Sequence, residues 1–146
     1  MKKVFFTYAQ YGELISKLTD QILKDPRSKE IECIYGIPRG GLPIAIHLSH
    51  ALNIPCKYGN FNFFTVPYKT IMIVDDISDT GKSFMSSLRA GYATNENLKI
   101  LTAALHIKAE TKVVPDFYID EYDTKFWLVY PWERKDEDTI ADYQNI

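Results

Sequence analysis

Ile71-Met-Ile-Val-Asp-Asp-Ile-Ser-Asp-Thr-Gly-Lys-Ser83 joins an uninterrupted apolar run to two adjacent acids, a third acid and a Thr-Gly-Lys-Ser sequence. The run from Thr70 to Val74 predicts a β-strand buried on both faces, and Asp79-Thr80-Gly81 predicts a turn into a helix from Lys82 to about Gly91. Asp75 and Asp76 therefore close a buried strand. Adjacent carboxylates in such a place repel each other and call for a ligand, a cation or hydrogen-bond donors. The vicinal hydroxyls of a ribose are such donors. The helix start at Asp79 to Ser83 presents free backbone N–H groups and a positive dipole end, and the hydroxyls of Thr80 and Ser83 add donors suited to a 5′-phosphate. Taken singly, the parts have a plainer reading: Asp79 or Thr80 caps a helix and the acid pair is solvated. The conjunction is what favours a ribose-phosphate site. Gly81-Lys82-Ser83 imitates the end of a nucleoside-triphosphate P-loop, but that motif needs glycine at position 76, which is Asp76.

Upstream of this segment, Ile31 to Gly36 is a short β-rich run, Gly40-Gly41 interrupts it, and Leu42 to Leu52 has helical periodicity. A strand–loop–helix unit thus occurs twice. Thr7 to Gln10 reads as a capping box in front of Leu14, Ile15, Leu18 and Ile22, one face of an amphipathic helix that Asp25-Pro26 ends. Downstream, Leu98 to Ile107 reads as a third buried strand, Asp116 to Ile119 as a fourth and Lys125 to Tyr130 as a fifth. Strands alternating with helices imply right-handed crossovers and an α/β fold, a mainly parallel twisted sheet flanked by helices on both faces. Ligands bind such sheets beyond the carboxyl ends of the strands. Pro38 to Gly41, Asp75 to Ser83, Lys108 and the region of Trp127 are expected at that end.

The 146 residues suit a single domain, 1–146, with one core and one site. Lys and Arg total 17 against 19 for Asp and Glu, which removes the basic footprint expected for nucleic-acid or anionic-membrane partners. A small polar substrate fits better. Apolar stretches are short, and Lys2-Lys3 is not followed by a long apolar run, so a cytoplasmic protein is expected. Cys33 and Cys56 have no second Cys/His pair at metal-ligand spacing and read as reduced structural thiols. His47 and His50, three apart on one helix, read as a surface pair for want of a third ligand. The acidic stretch Arg134 to Asp138 reads as a solvated terminus.

The segment from Ile71 to Ser83 resembles the 5-phosphoribosyl 1-diphosphate (PRPP) signature of the type I phosphoribosyltransferases. Gly36-Ile-Pro-Arg-Gly-Gly-Leu42 resembles that family's pyrophosphate-binding loop, where glycines let amides approach the anion and an arginine pairs with it. Within the family, the order of features from Tyr8 to Glu133 is most similar to the short bacterial xanthine-guanine (hypoxanthine) enzymes. Leu105-His-Ile-Lys108 resembles the strand whose terminal lysine contacts the exocyclic oxygen of a 6-oxopurine. Phe126-Trp-Leu-Val-Tyr-Pro-Trp-Glu133 resembles the segment whose first tryptophan, here Trp127, stacks on the base and whose next residue, Leu128, offers it a backbone carbonyl. Without the resemblance, Trp127 reads as a core residue and Lys108 as a solvated strand end.

The resemblance implies transfer of a 5-phosphoribosyl group from PRPP to guanine, xanthine or hypoxanthine, with release of pyrophosphate, for purine salvage. Arg39, Gly40 and Gly41 would hold the pyrophosphate, and Asp75, Asp76, Ser78, Asp79, Thr80, Gly81, Lys82 and Ser83 would bind the phosphoribosyl group. Asp79 would act as general base. Mg²⁺ would lie near Asp76 and Asp75, directly or through water. Members of the family usually carry a long mobile hood with a Ser-Tyr pair, but here only Pro55 to Thr70 is available, without serine and rich in Tyr58, Phe61, Phe63, Phe64 and Tyr68. That segment reads either as an edge strand packed on another subunit, giving a homodimer or homotetramer, or as a hydrophobic cluster within one chain. The shortened hood keeps two other readings open: a PRPP- or nucleotide-binding regulator with little catalysis, and transfer to another base.

Overall fold

The apolar run before Asp75 forms the centre of a parallel sheet in the computed structural model, which describes residues 1–59, 68–133 and 135. In chain order the elements are β1 (Lys2–Phe5), α1 (Tyr8–Lys24), β2 (Cys33–Gly36), α2 (Gly41–Leu52), β3 (Cys56–Lys57) and β4 (Thr70–Ser78). They continue with α3 (Lys82–Thr94), β5 (Lys99–Lys108), β6 (Asp120–Tyr122) and β7 (Phe126–Val129). Five strands pair in the order β3-β2-β4-β5-β6, every pairing parallel, and β1 pairs β7 in a separate two-stranded sheet.

Strand alternation sends side chains to opposite faces, and the two faces have separate cores. Ile34, Met72, Val74, Ala103 and Leu105 pack with Leu14, Leu18 and Ile22 of α1 and Ile44 and Leu48 of α2. Cys33, Tyr35, Ile71, Ile73 and Ala104 pack with Phe84 of α3 on the other face. The periodic face read from α1 is the buried one, and its capping box is formed: Gln10 N–H donates to Thr7 Oγ1 at 3.1 Å, and Thr7 N–H to Gln10 Oε1 at 2.8 Å. Among the described residues, no helix is long and apolar enough to cross a membrane.

Neighbouring strands β2 and β4 send their chains to opposite sides of the sheet, β2 towards edge strand β3 and β4 towards β5. This is a topological switch point, where the loops leaving two adjacent carboxyl ends part and open a crevice.

Two strand expectations need correction. Asp116 to Ile119 is not a strand: only an isolated bridge joins Phe117 to Ala103, and the Asp116 carboxylate takes the Thr102 N–H and hydroxyl. A side chain there replaces ladder bonds, and pairing begins later, at Asp120. The expected strand Lys125 to Tyr130 exists as β7 but joins β1, which sequence periodicity missed, rather than the main sheet. Of the expected edge strand within Pro55 to Thr70, Cys56–Lys57 pairs with β2, and residues 60–67 lie outside the described residues. Phe61, Phe63 and Phe64 lie outside the described residues, as do all residues of the acidic stretch except Lys135.

Candidate active site

Parallel pairing of β4 alternates the direction of its backbone groups, and the even-numbered residues face β2. Ile37 N–H donates to Val74 O at 2.9 Å, as Glu32 N–H does to Thr70 O at 3.0 Å. Strand β2 ends at Gly36, so Asp76 faces a position with no strand beside it. Its N–H turns instead to Asp75 Oδ1 at 2.9 Å, and Ile77 N–H donates to Asp76 Oδ1 at 2.8 Å. The acid pair is thereby locked to the end of the central strand. Burial, and then the neighbouring Asp76 carboxylate, push Asp75 up to about 9, and burial raises Asp76 as well. Two such carboxyls cannot both ionise without a donor or cation, as the sequence implied.

Past Ser78 the chain turns through Gly81, whose φ of +90° is open to glycine at little cost, and a Cβ there would lie 2.9 Å from Val113 N. Helix α3 starts at Lys82 with no side chain capping from Gly81, and its first bond runs from Met85 N–H to Gly81 O. The Lys82 amide donates to Thr80 Oγ1 at 3.3 Å, while those of Ser83 and Phe84 precede the first helical bond and point out of the helix end. Lys112 N–H donates to Thr80 O at 3.2 Å, so the chain after β5 braces this turn. Residues 75–84 line a cavity of about 200 Å³ above it.

Two further cavities adjoin. One of about 550 Å³ is lined by Arg39, Gly40, Asp76, Trp132, Glu133 and Lys135. The other, of about 200 Å³, is lined chiefly by Asp76, Asp79, Lys108, Trp127, Leu128 and Glu133. Asp76 lines all three. Glycine at 40 allows the close approach on the β2 side, since a Cβ there would lie 2.1 Å from Asp76 Oδ2.

Around the second small cavity, Lys108 is buried at the end of β5 and its ammonium donates to the Phe126 carbonyl. The β1–β7 ladder uses the carbonyls of Lys125 and Val129, so alternation turns those of Phe126 and Leu128 to the opposite edge, beside Lys108. Trp127 keeps half its surface exposed at the cavity, whereas the Leu128 side chain packs in the core and only its backbone is available.

The predicted residues thus converge, with two corrections of role. The Ser78 hydroxyl is buried, donates to Val113 O at 2.7 Å and lies 2.8 Å from the Thr111 hydroxyl, so it braces the loop rather than offering a donor to a ligand. The Gly41 amide opens α2 with a bond to Ile37 O at 2.9 Å and is not spare for an anion. Gly41 matters through its missing side chain, since a Cβ would lie 2.4 Å from Val74 O. Sequence reasoning missed Glu133 as a site residue. Its carboxyl is raised by burial and then by Asp76, is opposed by Arg39, and is aimed by a 3.4 Å bond from Tyr130 N–H. Only its place at the end of the Phe126 to Glu133 segment signalled it.

Among the described residues no cluster of three or more His, Cys, Asp or Glu side chains is arranged to hold a metal alone. The carboxylates of Asp75 and Asp76 are nonetheless hard oxygen donors of the kind that share Mg²⁺ with phosphate ligands.

Comparison with solved structures places this arrangement among known proteins. A purine phosphoribosyltransferase from Pyrococcus horikoshii Ot3 is 31% identical over 95% of this chain and 99% of its own, with a TM-score of 0.77. A xanthine-guanine-hypoxanthine phosphoribosyltransferase from Helicobacter pylori is 20% identical over 90% of this chain and 93% of its own, at TM-score 0.79. A hypothetical protein from Neisseria gonorrhoeae with bound ppGpp is 20% identical over 98% of this chain and 94% of its own, at TM-score 0.73. No protein-family model and no curated protein matches the sequence.

Proposed function

Because the chain belongs to the type I phosphoribosyltransferase family, we propose that it transfers the phosphoribosyl group of PRPP to a 6-oxopurine, releasing pyrophosphate. One observation carries the reading: Asp76 is common to three cavities, one at a helix start, one beside Arg39 and one beside Lys108 and Trp127. A molecule with a 5′-phosphate, a ribose and a diphosphate on C1, next to a flat base, has that branched shape.

In this reading the Ser83 amide, with the Thr80 and Ser83 hydroxyls, takes the 5′-phosphate at the start of α3. The ribose hydroxyls donate to Asp75 and Asp76, relieving the repulsion that keeps a proton on the pair. Arg39 pairs with the diphosphate. Trp127 stacks on the base, Lys108 donates to its exocyclic oxygen and the Leu128 carbonyl accepts from its ring N–H. A purine nitrogen then bonds to C1 as the C1–O bond to pyrophosphate breaks, and the proton lost by the purine passes to Asp79. Mg²⁺, when bound by Asp76 and Asp75 together with phosphate oxygens, supplies charge neutralisation for the leaving group. The pyrophosphate departs into the largest of the three cavities, which Arg39 and Lys135 line.

Pocket chemistry chooses the base. A buried ammonium fixed by the Phe126 carbonyl is a donor with no acceptor capacity, so an exocyclic oxygen satisfies it and an exocyclic amine does not. In assays with PRPP and Mg²⁺, kcat/KM for guanine, xanthine or hypoxanthine is expected to exceed that for adenine, uracil or orotate by roughly a hundredfold or more. Equal use of adenine would refute the base assignment. The ppGpp-bound neighbour favours a second reading, a nucleotide-binding regulator on the same fold. Tight PRPP or nucleotide binding with no turnover on any base would establish it instead.

A further inference from the structure

Beneath Asp76 lies a buried polar chain whose hydroxyl and imidazole the site described above does not use, although Tyr130 itself lines the cavity beside Lys108 and Trp127. The Tyr130 hydroxyl donates to the Asp76 backbone carbonyl at 3.1 Å and meets His106 Nδ1 at 2.7 Å. Tyr130 and His106 are almost wholly buried. Asp76 O points towards the vacant place beyond the end of β2, where the sheet offers it no N–H. The tyrosine supplies the missing donor.

Hydrogen counting fixes the rest. A carbonyl only accepts, so the single Tyr130 proton is committed to Asp76, and His106 Nδ1 must carry the proton that it donates to the Tyr130 oxygen. Burial holds the histidine neutral, with its pKa pushed down to about 4, and keeps the Tyr130 hydroxyl protonated well above the usual range. His106 Nε2 is then a bare lone pair, buried without a partner among the described residues. That is an expense no purely hydrophobic residue would incur at this position. Phe6 stacks on both rings, at centroid distances of 4.9 Å from His106 and 5.6 Å from Tyr130, which fixes their planes.

We infer that His106 and Tyr130 are positioning residues, a directed pair that clamps the Asp76 main chain so that its carboxylate is pre-set for the ribose of PRPP. The inference rests on the proposed function, because it needs PRPP as the ligand of Asp76. His106 sets the orientation of the hydroxyl, and Tyr130 sets the height of the carbonyl. Since the neighbouring Ile77 amide is bonded to the Asp76 carboxylate, displacement of this peptide displaces the acid.

The test is PRPP affinity by titration calorimetry with Mg²⁺ present, at a temperature where each variant is folded by circular dichroism. Tyr130→Phe keeps the ring and its stacking and removes only the oxygen. It is expected to weaken PRPP binding roughly tenfold, the size of one lost hydrogen bond, while guanine binding to the free protein changes less than twofold. His106→Phe is expected to weaken PRPP binding about threefold, and His106→Asn, whose amide N–H replaces the Nδ1 donor, to restore it. The double change Tyr130→Phe with His106→Phe is expected to match Tyr130→Phe alone, because the histidine acts through the hydroxyl. Wild-type affinity for PRPP in Tyr130→Phe, even with a lower Tm, would overturn the inference and reduce the pair to core packing. Equal loss of PRPP and guanine binding would overturn it too. Failure of the wild type to bind PRPP would bring down the functional reading and this inference with it, whereas unchanged variants beside a binding wild type bring down the inference alone.

Discussion

Asp75→Asn should make the ligand-free protein more stable at neutral pH. Asp75 is buried and its folded pKa is raised from 3.8 to about 9, first by desolvation and then by Asp76. Below about pH 4 the folded and unfolded chains both hold the proton, and the stability linked to this group is fully present. As pH rises from there the unfolded chain releases its proton first, so stability is lost progressively until the folded carboxyl ionises near pH 9. At pH 7 the loss has an upper bound of about 4 kcal/mol, at about 1.4 kcal/mol per pH unit. Relaxation of the pair and water reaching Asp76 reduce the expected gain to about 1–3 kcal/mol, or roughly 4–10 °C in Tm. Asparagine keeps the oxygen that accepts from Asp76 N–H, and its amide N–H donates to the Asp76 carboxylate in place of the shared proton. Thermal melts of both proteins at pH 5, 7 and 8.5 read the effect: the variant gains on the wild type as pH rises. A gap of the same size at every pH, or a variant less stable at pH 8.5, refutes the reasoning.

Gly40→Ala drives a methyl into the Asp76 carboxylate, which must give up its bond from Ile77 N–H to move, so stability should fall by about 1–3 kcal/mol in thermal melts while calorimetry shows PRPP affinity falling roughly tenfold or more. Trp127→Ala removes a half-exposed ring; stability should change by under about 1 kcal/mol, while steady-state assays show KM for the base rising roughly tenfold or more. Thr7→Ala breaks the capping box of α1 at a residue that lines none of the three cavities, and should cost about 1 kcal/mol in denaturant titration with KM for PRPP changing less than about twofold.

The parts of the molecule legible in the sequence are those where a local pattern and its tertiary role coincide. The run Ile71 to Val74 is apolar at every position because both faces of β4 are covered, and α1 shows its buried stripe because only one face is. The same holds for Asp75 to Ser83, where strand end, acid pair and helix start are contiguous. What failed was set by distant partners. Lys2–Phe5 becomes a strand only because β7, over a hundred residues later, lies beside it. Asp116 to Ile119 has the right composition, but the Asp116 side chain takes the Thr102 groups that a paired strand would share. Ser78 and Gly41 stand in the right motifs, yet Val113 and Ile37 claim the groups that a ligand was expected to use. Glu133 and the His106–Tyr130 pair reach Asp76 from other elements, and no spacing in the sequence announces that meeting.

Phosphorus NMR of the wild type with PRPP and Mg²⁺, before and after adding guanine, tests the central claim most directly. Transfer predicts that the PRPP signals persist without guanine, then are replaced by pyrophosphate and a nucleoside 5′-monophosphate in equal amounts once it is added. PRPP signals that broaden on binding but survive guanine, xanthine and hypoxanthine alike would contradict it.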